Sequence, residues 1–392
     1  MSSVNPYTTR LPTTDDCLFH GREQQVREVV EGITSSTPIH YAVVGGPRMG
    51  KTSFLRCSLQ QMSASPSDQT ILLLQLDTNE TLPASVDEAL QLIERRLVAE
   101  GRKHLRAGAL SEEAIVRSAG DGPVSPLERI VGIVKLVQEE LPRARVVLAI
   151  NHMDRIKPYF DLFGRQLAYL VSTSEVAGQV ALLLFGTANA FRHVDLEISF
   201  LATLLKFVRL QSLTEEETMA LIQEPVHNKV PAVVAQKVYS ETGGHPYLTQ
   251  YILEELFKKT GGQVESATVE QVDAIINDFS TRGHMKRWFD RLEMLERNIY
   301  EHYLSKKRLN ERELFAMGLM VEEENVRQLA EPSHIRDALD ALLTGGFIRL
   351  VSQDIDAGRE FELSGQMCAR FYSDNYLVIR KNPFDQLDIF KS

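Results

Sequence analysis

The chain has 392 residues, 43% hydrophobic and 24% charged, with a formal net charge of −10, which fits a globular protein of two or three domains at roughly 100–200 residues each. No apolar run approaches the ~18 residues that cross a bilayer, residues 1–16 lack the apolar centre of a secretory leader, and Cys17, Cys57 and Cys368 form neither a disulfide framework nor a metal-ligand spacing. A membrane protein and a disulfide scaffold are excluded, a reducing cytoplasmic location is expected, and the acidic balance disfavours wrapping nucleic acid.

Residues 1–20 read as an extended arm, because Asn5-Pro6-Tyr7 and Leu11-Pro12 disfavour helix. Phe19-His20-Gly21-Arg22-Glu23 then leads into a helical segment with apolar Val26, Val29, Val30 and Ile33. This stretch is either a plain turn before a helix or a nucleotide-base site just upstream of a glycine-rich loop. An apolar run at 39–44 comes next, then the loop itself, Gly45-Gly46-Pro47-Arg48-Met49-Gly50-Lys51-Thr52, then a helical pattern from Ser53. The loop fits G-x-x-x-x-G-K-[ST] at every constrained position. Glycines let backbone N–H groups turn inward onto phosphate oxygens, and the helix N-terminus behind them adds partial positive charge. Lys51 is expected to reach the β/γ-phosphates, and the Thr52 hydroxyl to ligate Mg²⁺. Gly45 through Thr52, with Ser53 directly behind, form the expected nucleotide-binding set.

From 39 to 213 strands and helices alternate. Strands are expected at 39–44, 70–77, 145–150, 180–185 and 207–210, all short continuous apolar runs suited to parallel strands buried on both faces. Helices are expected at 86–98 and 126–140, the second opened by the capping box Ser125-Pro126-Leu127-Glu128. Residues 101–123 read as a surface insertion. The pattern implies an α/β fold, a parallel sheet with its ligand at the carboxyl ends of the strands.

After Leu213 the pattern is helical: 214–223, 232–241, 246–258 and 269–279. Three further helical stretches come next, the last at 333–343 and ending at Gly345-Gly346, then a hairpin at 347–351 and 359–363. Three helices and a two-stranded wing suggest a winged helix. The expected organisation is an N-terminal arm and adenine-proximal helix (1–38), a core (39–213), a helical lid (214–281), a winged-helix-like domain (282–374) and an unassigned tail (375–392).

The partner strand of the phosphate loop is expected at 145–150. Directly after it stands Asn151-His152-Met153-Asp154-Arg155, where the common pattern reads Asp-Glu-x-Asp-Arg. Asn151 thus stands where the metal-holding Asp belongs, reaching Mg²⁺ through a water with a neutral carbonyl oxygen. His152 stands where the water-activating Glu belongs. A positioned base contributes about 10²–10⁴-fold in rate, so slow or absent hydrolysis is expected. His152 and Asp154 are the candidate catalytic groups, and structural packing is the alternative for His152. Thr187, at the end of the 180–185 strand, is the candidate γ-phosphate sensor, with Asn189 second. Arg192, just after it, reads as a solvated surface residue rather than as an arginine projecting towards a neighbouring subunit's nucleotide.

These residues carry a family resemblance. The chain resembles the AAA+/STAND-type P-loop ATPases, especially the archaeal-ATPase-like branch with a C-terminal winged helix. Asn5-Pro6-Tyr7 with Phe19-His20-Gly21-Arg22-Glu23 resembles the family's N-terminal box, which lies against adenine. Gly45 to Thr52 is the Walker A loop. Val208 to Glu217, continuing to Glu224-Pro225, resembles the fifth strand and first lid helix. Thr242-Gly243-Gly244-His245-Pro246-Tyr247-Leu248 resembles the lid motif, whose proline approaches adenine. The resemblance implies Phe19, Gly21, Arg22 and Pro246 as nucleotide contacts, with ATP or ADP and Mg²⁺ as ligands.

Three functions are compatible with these features. The first is an ATP-binding regulatory switch, its nucleotide held between core and lid, acting through a separate effector protein in bacterial signalling or defence. The second is a DNA-associated AAA+ ATPase of the replication-initiator or transposition-regulator type. The third is a pseudo-ATPase scaffold. The expected reading helix (333–343) carries Arg336 against Asp337 and Asp340, and the wing carries Arg349 and Arg359 against Asp354, Asp356, Glu360 and Glu362. Nucleic acid is therefore not favoured and a protein partner is expected. A homo-oligomer is compatible with all three.

Overall fold

Five continuous apolar runs form five parallel strands. In the computed structural model they are β1 (His40–Val44), β2 (Ile71–Asp77), β3 (Arg145–Asn151), β4 (Val180–Gly186) and β5 (Leu205–Arg209), in the order β2-β3-β4-β1-β5. The structure describes residues 5–9, 19–64, 69–120, 124–192, 200–319, 331–354 and 358–377. Cys17, the Leu11-Pro12 pair, Asp356 and most of the expected tail lie outside them.

The chain divides into two units. One comprises residues 23–44 and 54–209; the other comprises 1–22, 45–53 and 210–392. The first unit holds the sheet. Every residue of β1, β3 and β4 is buried, whereas the edge strand β2 alternates and β5 is half-exposed. Sheet order explains the difference: β1, β3 and β4 are the inner strands, and β2 and β5 are the edges. Ser125 closes a capping box with Glu128, and Pro126 opens the helix Pro126–Glu140. Residues 101–123 are more than a surface insertion. They contain the helix Glu112–Ala119, capped by Ser111, which buries Ile115 and packs against Pro126–Glu140. Arg145 is buried and donates to the carbonyls of Ile33 (2.9 Å) and Ser35 (2.8 Å).

The register sets the chemistry. Asp77 at the end of β2 pairs with Asn151 at the end of β3, and Val44, the last residue of β1, pairs with Gly186 at the end of β4. Strand ends bearing Asp77, Asn151 and Thr187 therefore share the carboxyl edge of the sheet, where open α/β sheets bind ligands.

The second unit is helical. Helices Glu215–Gln223, Ala232–Thr242, Pro246–Lys259 and Val269–Ile276 are succeeded by Phe279–Phe289, which runs through the position expected to separate lid from winged helix. Then come Met294–Lys306, Glu311–Leu319, Pro332–Thr344 and an antiparallel sheet of β6 (Arg308–Asn310), β8 (Gly358–Leu363) and β7 (Ile348–Asp354), in that order. This is a winged-helix-like arrangement whose wing has a third short strand. One continuous core runs from Leu213 through Trp288 and Phe289 to Tyr372. It also takes in Tyr7, whose hydroxyl donates to the Ile222 carbonyl at 2.6 Å.

Candidate nucleotide site

The phosphate loop belongs to the helical unit. Arg48 (φ 63°) and Gly50 (φ 89°) adopt left-handed backbone, which turns the loop back on itself. At Gly50 a side chain would also strike the Arg22 guanidinium, whose Nη1 would lie 2.5 Å from its Cβ. Arg22 is buried and donates to the carbonyls of Met49 and Gln211, the latter at 3.0 Å. It thus fastens the loop to the segment entering the lid. Gly21 (φ 76°) precedes it, against the Glu217 carboxylate, and Phe19 is buried. Gly45, Gly46 and Met49 are buried, Pro47, Gly50, Thr52 and Ser53 are half-buried, and Arg48 is exposed over the Tyr247 ring at 5.2 Å.

Two contacts occupy the loop's polar groups. Lys51 Nζ donates to the carbonyls of Gly45 (2.6 Å) and Gly46 (2.8 Å). The Gly46 N–H donates to the carbonyl of Thr344 at 2.8 Å. Thr344 ends the helix Pro332–Thr344, so that helix presents its carbonyl end to the loop. The approach is close: a Cβ on Gly46 would lie 2.7 Å from the Gly345 Cα. Gly243 and Gly244 (φ 58° and 76°) lead to His245 and Pro246, the first residue of the helix Pro246–Lys259. The Gly244 carbonyl accepts from Leu213 N–H at 2.9 Å. Pro246 is half-buried, and burial, with Arg22 beside it, lowers the His245 pKa to about 3.

The strand-end residues belong to the sheet unit. Asn151 is fully buried and both ends of its amide are engaged: Nδ2 donates to Asp77 Oδ2 (3.1 Å), and Oδ1 accepts from His152 N–H (3.1 Å). His152 has φ 60°, a conformation that His tolerates better than most side chains. Its carbonyl accepts from Thr78 Oγ1 at 2.8 Å, and its Nε2 lies 4.0 Å from Asp77 Oδ1. Asp154 Oδ1 accepts from both the amide (2.7 Å) and the hydroxyl of Thr187. The candidate base and the candidate γ-phosphate sensor are thus bonded to each other. Asn189 Oδ1 is buried without a partner among the described residues. Sequence reasoning missed Asp77. Its only signal is an acid closing the 70–77 run, and its proximity to Asn151 depends on strand order.

The residue types present fit a phosphate chain: the loop glycines, Lys51, and a helix N-terminus at Lys51–Ala64. Among the described residues no cluster of three or more His, Cys, Asp or Glu forms a metal site.

A parallel sheet whose β1 runs into an intact phosphate loop, with a helical lid and a winged-helix-like arrangement after it, defines an AAA+-type P-loop ATPase fold. The profile of the family described as novel STAND NTPase 1 matches residues 8–351, and the chain belongs to that family. Among solved structures it is similar to Orc1 of Aeropyrum pernix in complex with DNA, at 14% identity over 95% of this chain and 97% of that one, TM-score 0.45. It is also similar to Cdc6p of Pyrobaculum aerophilum, at 12% identity over 94% and 97%, TM-score 0.45. A RuvB variant of Thermotoga maritima matches at 12% identity over 93% and 97%, TM-score 0.42. No curated protein matches.

Proposed function

We propose that the protein is an ATP-binding regulatory switch with slow or absent hydrolysis, reporting its nucleotide through the winged-helix region to a separate protein. One observation carries this reading: the Gly46 N–H is bonded to the carbonyl end of the helix Pro332–Thr344. A helix C-terminus carries partial negative charge, and a phosphate loop attracts anions. The helix end and a nucleotide phosphate are therefore antagonistic ligands of one loop. Any nucleotide with different affinity for the loop with and without the helix end shifts that equilibrium.

Gly45 to Ser53 would hold the phosphates, with Thr52 serving Mg²⁺. Phe19, Gly21, Arg22 and Pro246 would flank the nucleoside. Bound Mg²⁺ would neutralise phosphate charge. Neutral Asn151, left-handed His152 and an Asp154 bonded to Thr187 support weak catalysis, because none is a carboxylate free to activate water. A protein partner is supported over DNA by charge pairing. Arg336 pairs with Glu311 (3.4 Å), Arg349 with Glu362 (2.6 Å), and Arg359 with Glu311 (2.8 Å) and Asp340 (2.7 Å).

The test is titration of ATP and ADP with Mg²⁺ into the full chain, read by calorimetry and by amide exchange over residues 332–346. Binding of both, with ATP loosening 344–346 more than ADP, is expected. Equal responses would favour a scaffold, and no binding at millimolar nucleotide would end the proposal.

A further inference from the structure

His245 stands immediately before Pro246, and only 1% of the residue is exposed. Among the described residues neither Nδ1 nor Nε2 has a hydrogen-bond partner. The ring stacks on Trp288, with centroids 5.0 Å apart and planes 10° from parallel. Its edge meets the turn that covers the phosphate loop. A Cβ on Gly346 would lie 2.9 Å from His245 Cδ2 and 3.3 Å from Sδ of Met49.

Packing does not explain an imidazole here. A buried polar group without partners is costly, whereas an apolar group of the same shape is near neutral or stabilising. Phe would fill the site and stack on Trp288 without that cost. What His adds is one donor and one acceptor when neutral, and burial beside Arg22 keeps the ring neutral at physiological pH. A neutral ring is a poor match for phosphate, which the loop amides and Lys51 already suit. It matches the neutral donors and acceptors of a base or a ribose.

We infer that His245 is a hydrogen-bonding contact to the nucleoside part of the nucleotide whose phosphates the loop takes, and that the Gly345-Gly346 turn covers this contact in the conformation described. The inference rests on the nucleotide-binding reading above. Reaching the ring requires the turn to move, so engagement of His245 and displacement of the turn are one event.

The test compares wild type with His245→Phe and His245→Gln, measuring the melting temperature of the protein alone and the affinities for ATP, 2′-deoxyATP and inorganic tripolyphosphate. His245→Phe is expected to melt higher than wild type and yet bind ATP about tenfold more weakly, a loss of about 1.4 kcal/mol. Its tripolyphosphate affinity is expected to stay within twofold, and His245→Gln to recover most of the ATP affinity. A penalty that persists with 2′-deoxyATP assigns the contact away from the 2′-hydroxyl. Where the Phe variant fails to fold, His245→Met is measured in its place. Unchanged ATP affinity in a folded apolar variant would overturn the inference and leave nucleotide binding intact, as would an equal loss for ATP and tripolyphosphate. If wild type binds neither ligand, the nucleotide reading itself fails, and this inference with it.

Discussion

The residues expected to hold phosphate match their pattern, and those expected to cleave it do not. Lys51 and the loop glycines match their pattern, so Lys51→Ala should weaken ATP binding at least tenfold by removing a charge-assisted contact, measured by calorimetry on a variant that still folds. Asn151-His152 departs from the pattern, and the structure adds a reason at His152. Its backbone is left-handed, where Glu is uncommon. The double change Asn151→Asp, His152→Glu should raise ATP turnover by at least tenfold while lowering the melting temperature slightly, because Glu meets strain at φ 60°. A phosphate-release assay with a melting curve reads both. Titration gives a third outcome. His245 is held down to about 3 and His40 to about 4, both mainly by burial, from an ordinary 6.5. The unfolded chain therefore binds more protons between those values. Their contribution is complete above pH 6.5 and is lost as pH falls towards 4 and then 3. Stability should drop between pH 6.5 and 4.5, before carboxylates with lowered pKa values titrate, and His245→Phe should flatten that drop in denaturant midpoints. At this scale the phosphate loop was legible because its spacing is local. Asp77 beside Asn151, and Asp154 on Thr187, were not, because each pair is joined only by the register of neighbouring strands.

Among elements, the helix Pro332–Thr344 has the clearest consequence. Its last carbonyl reaches Gly46, a position the phosphate-loop pattern leaves unconstrained, and Gly46 lacks positive φ. Gly46→Ala should therefore leave the loop conformation available while driving a methyl into the Gly345 Cα, 2.7 Å away. Faster amide exchange at 344–346 and tighter ATP binding are expected, and unchanged exchange would contradict the antagonism of helix end and phosphate. The strands were readable as apolar runs, with β5 beginning at Leu205 rather than 207. The helix Glu112–Ala119 was not, because its single buried apolar residue, Ile115, leaves little periodicity. The short strand β6 was equally hidden: Arg308–Asn310 shows no alternation long enough to read, and its place depends on pairing with β8. The contact of the Gly345-Gly346 turn with the phosphate loop joins segments some three hundred residues apart, which no local pattern encodes.

For the molecule as a whole, the paired arginines of the winged-helix region predict weak nucleic-acid binding. A gel shift with duplex DNA at physiological salt should show no complex at sub-micromolar protein, whereas affinity capture with ATP-loaded protein should enrich a protein partner. The fold class was legible from the order of runs and motifs. The unity of the helical half was not: lid and winged-helix residues share one core, and the helix Phe279–Phe289 crosses the expected boundary. That shared core has a consequence for biosynthesis. Tyr7 is sealed into it and bonded to Ile222, 215 residues later, and Asn5 reaches Glu254. The sheet unit, residues 23–44 and 54–209, emerges and can fold while Asn5 and Tyr7 still wait for their partners. A segment that leaves the ribosome before the sheet is thus placed only after it, and deleting residues 5–9 should damage the most distant half of the protein first.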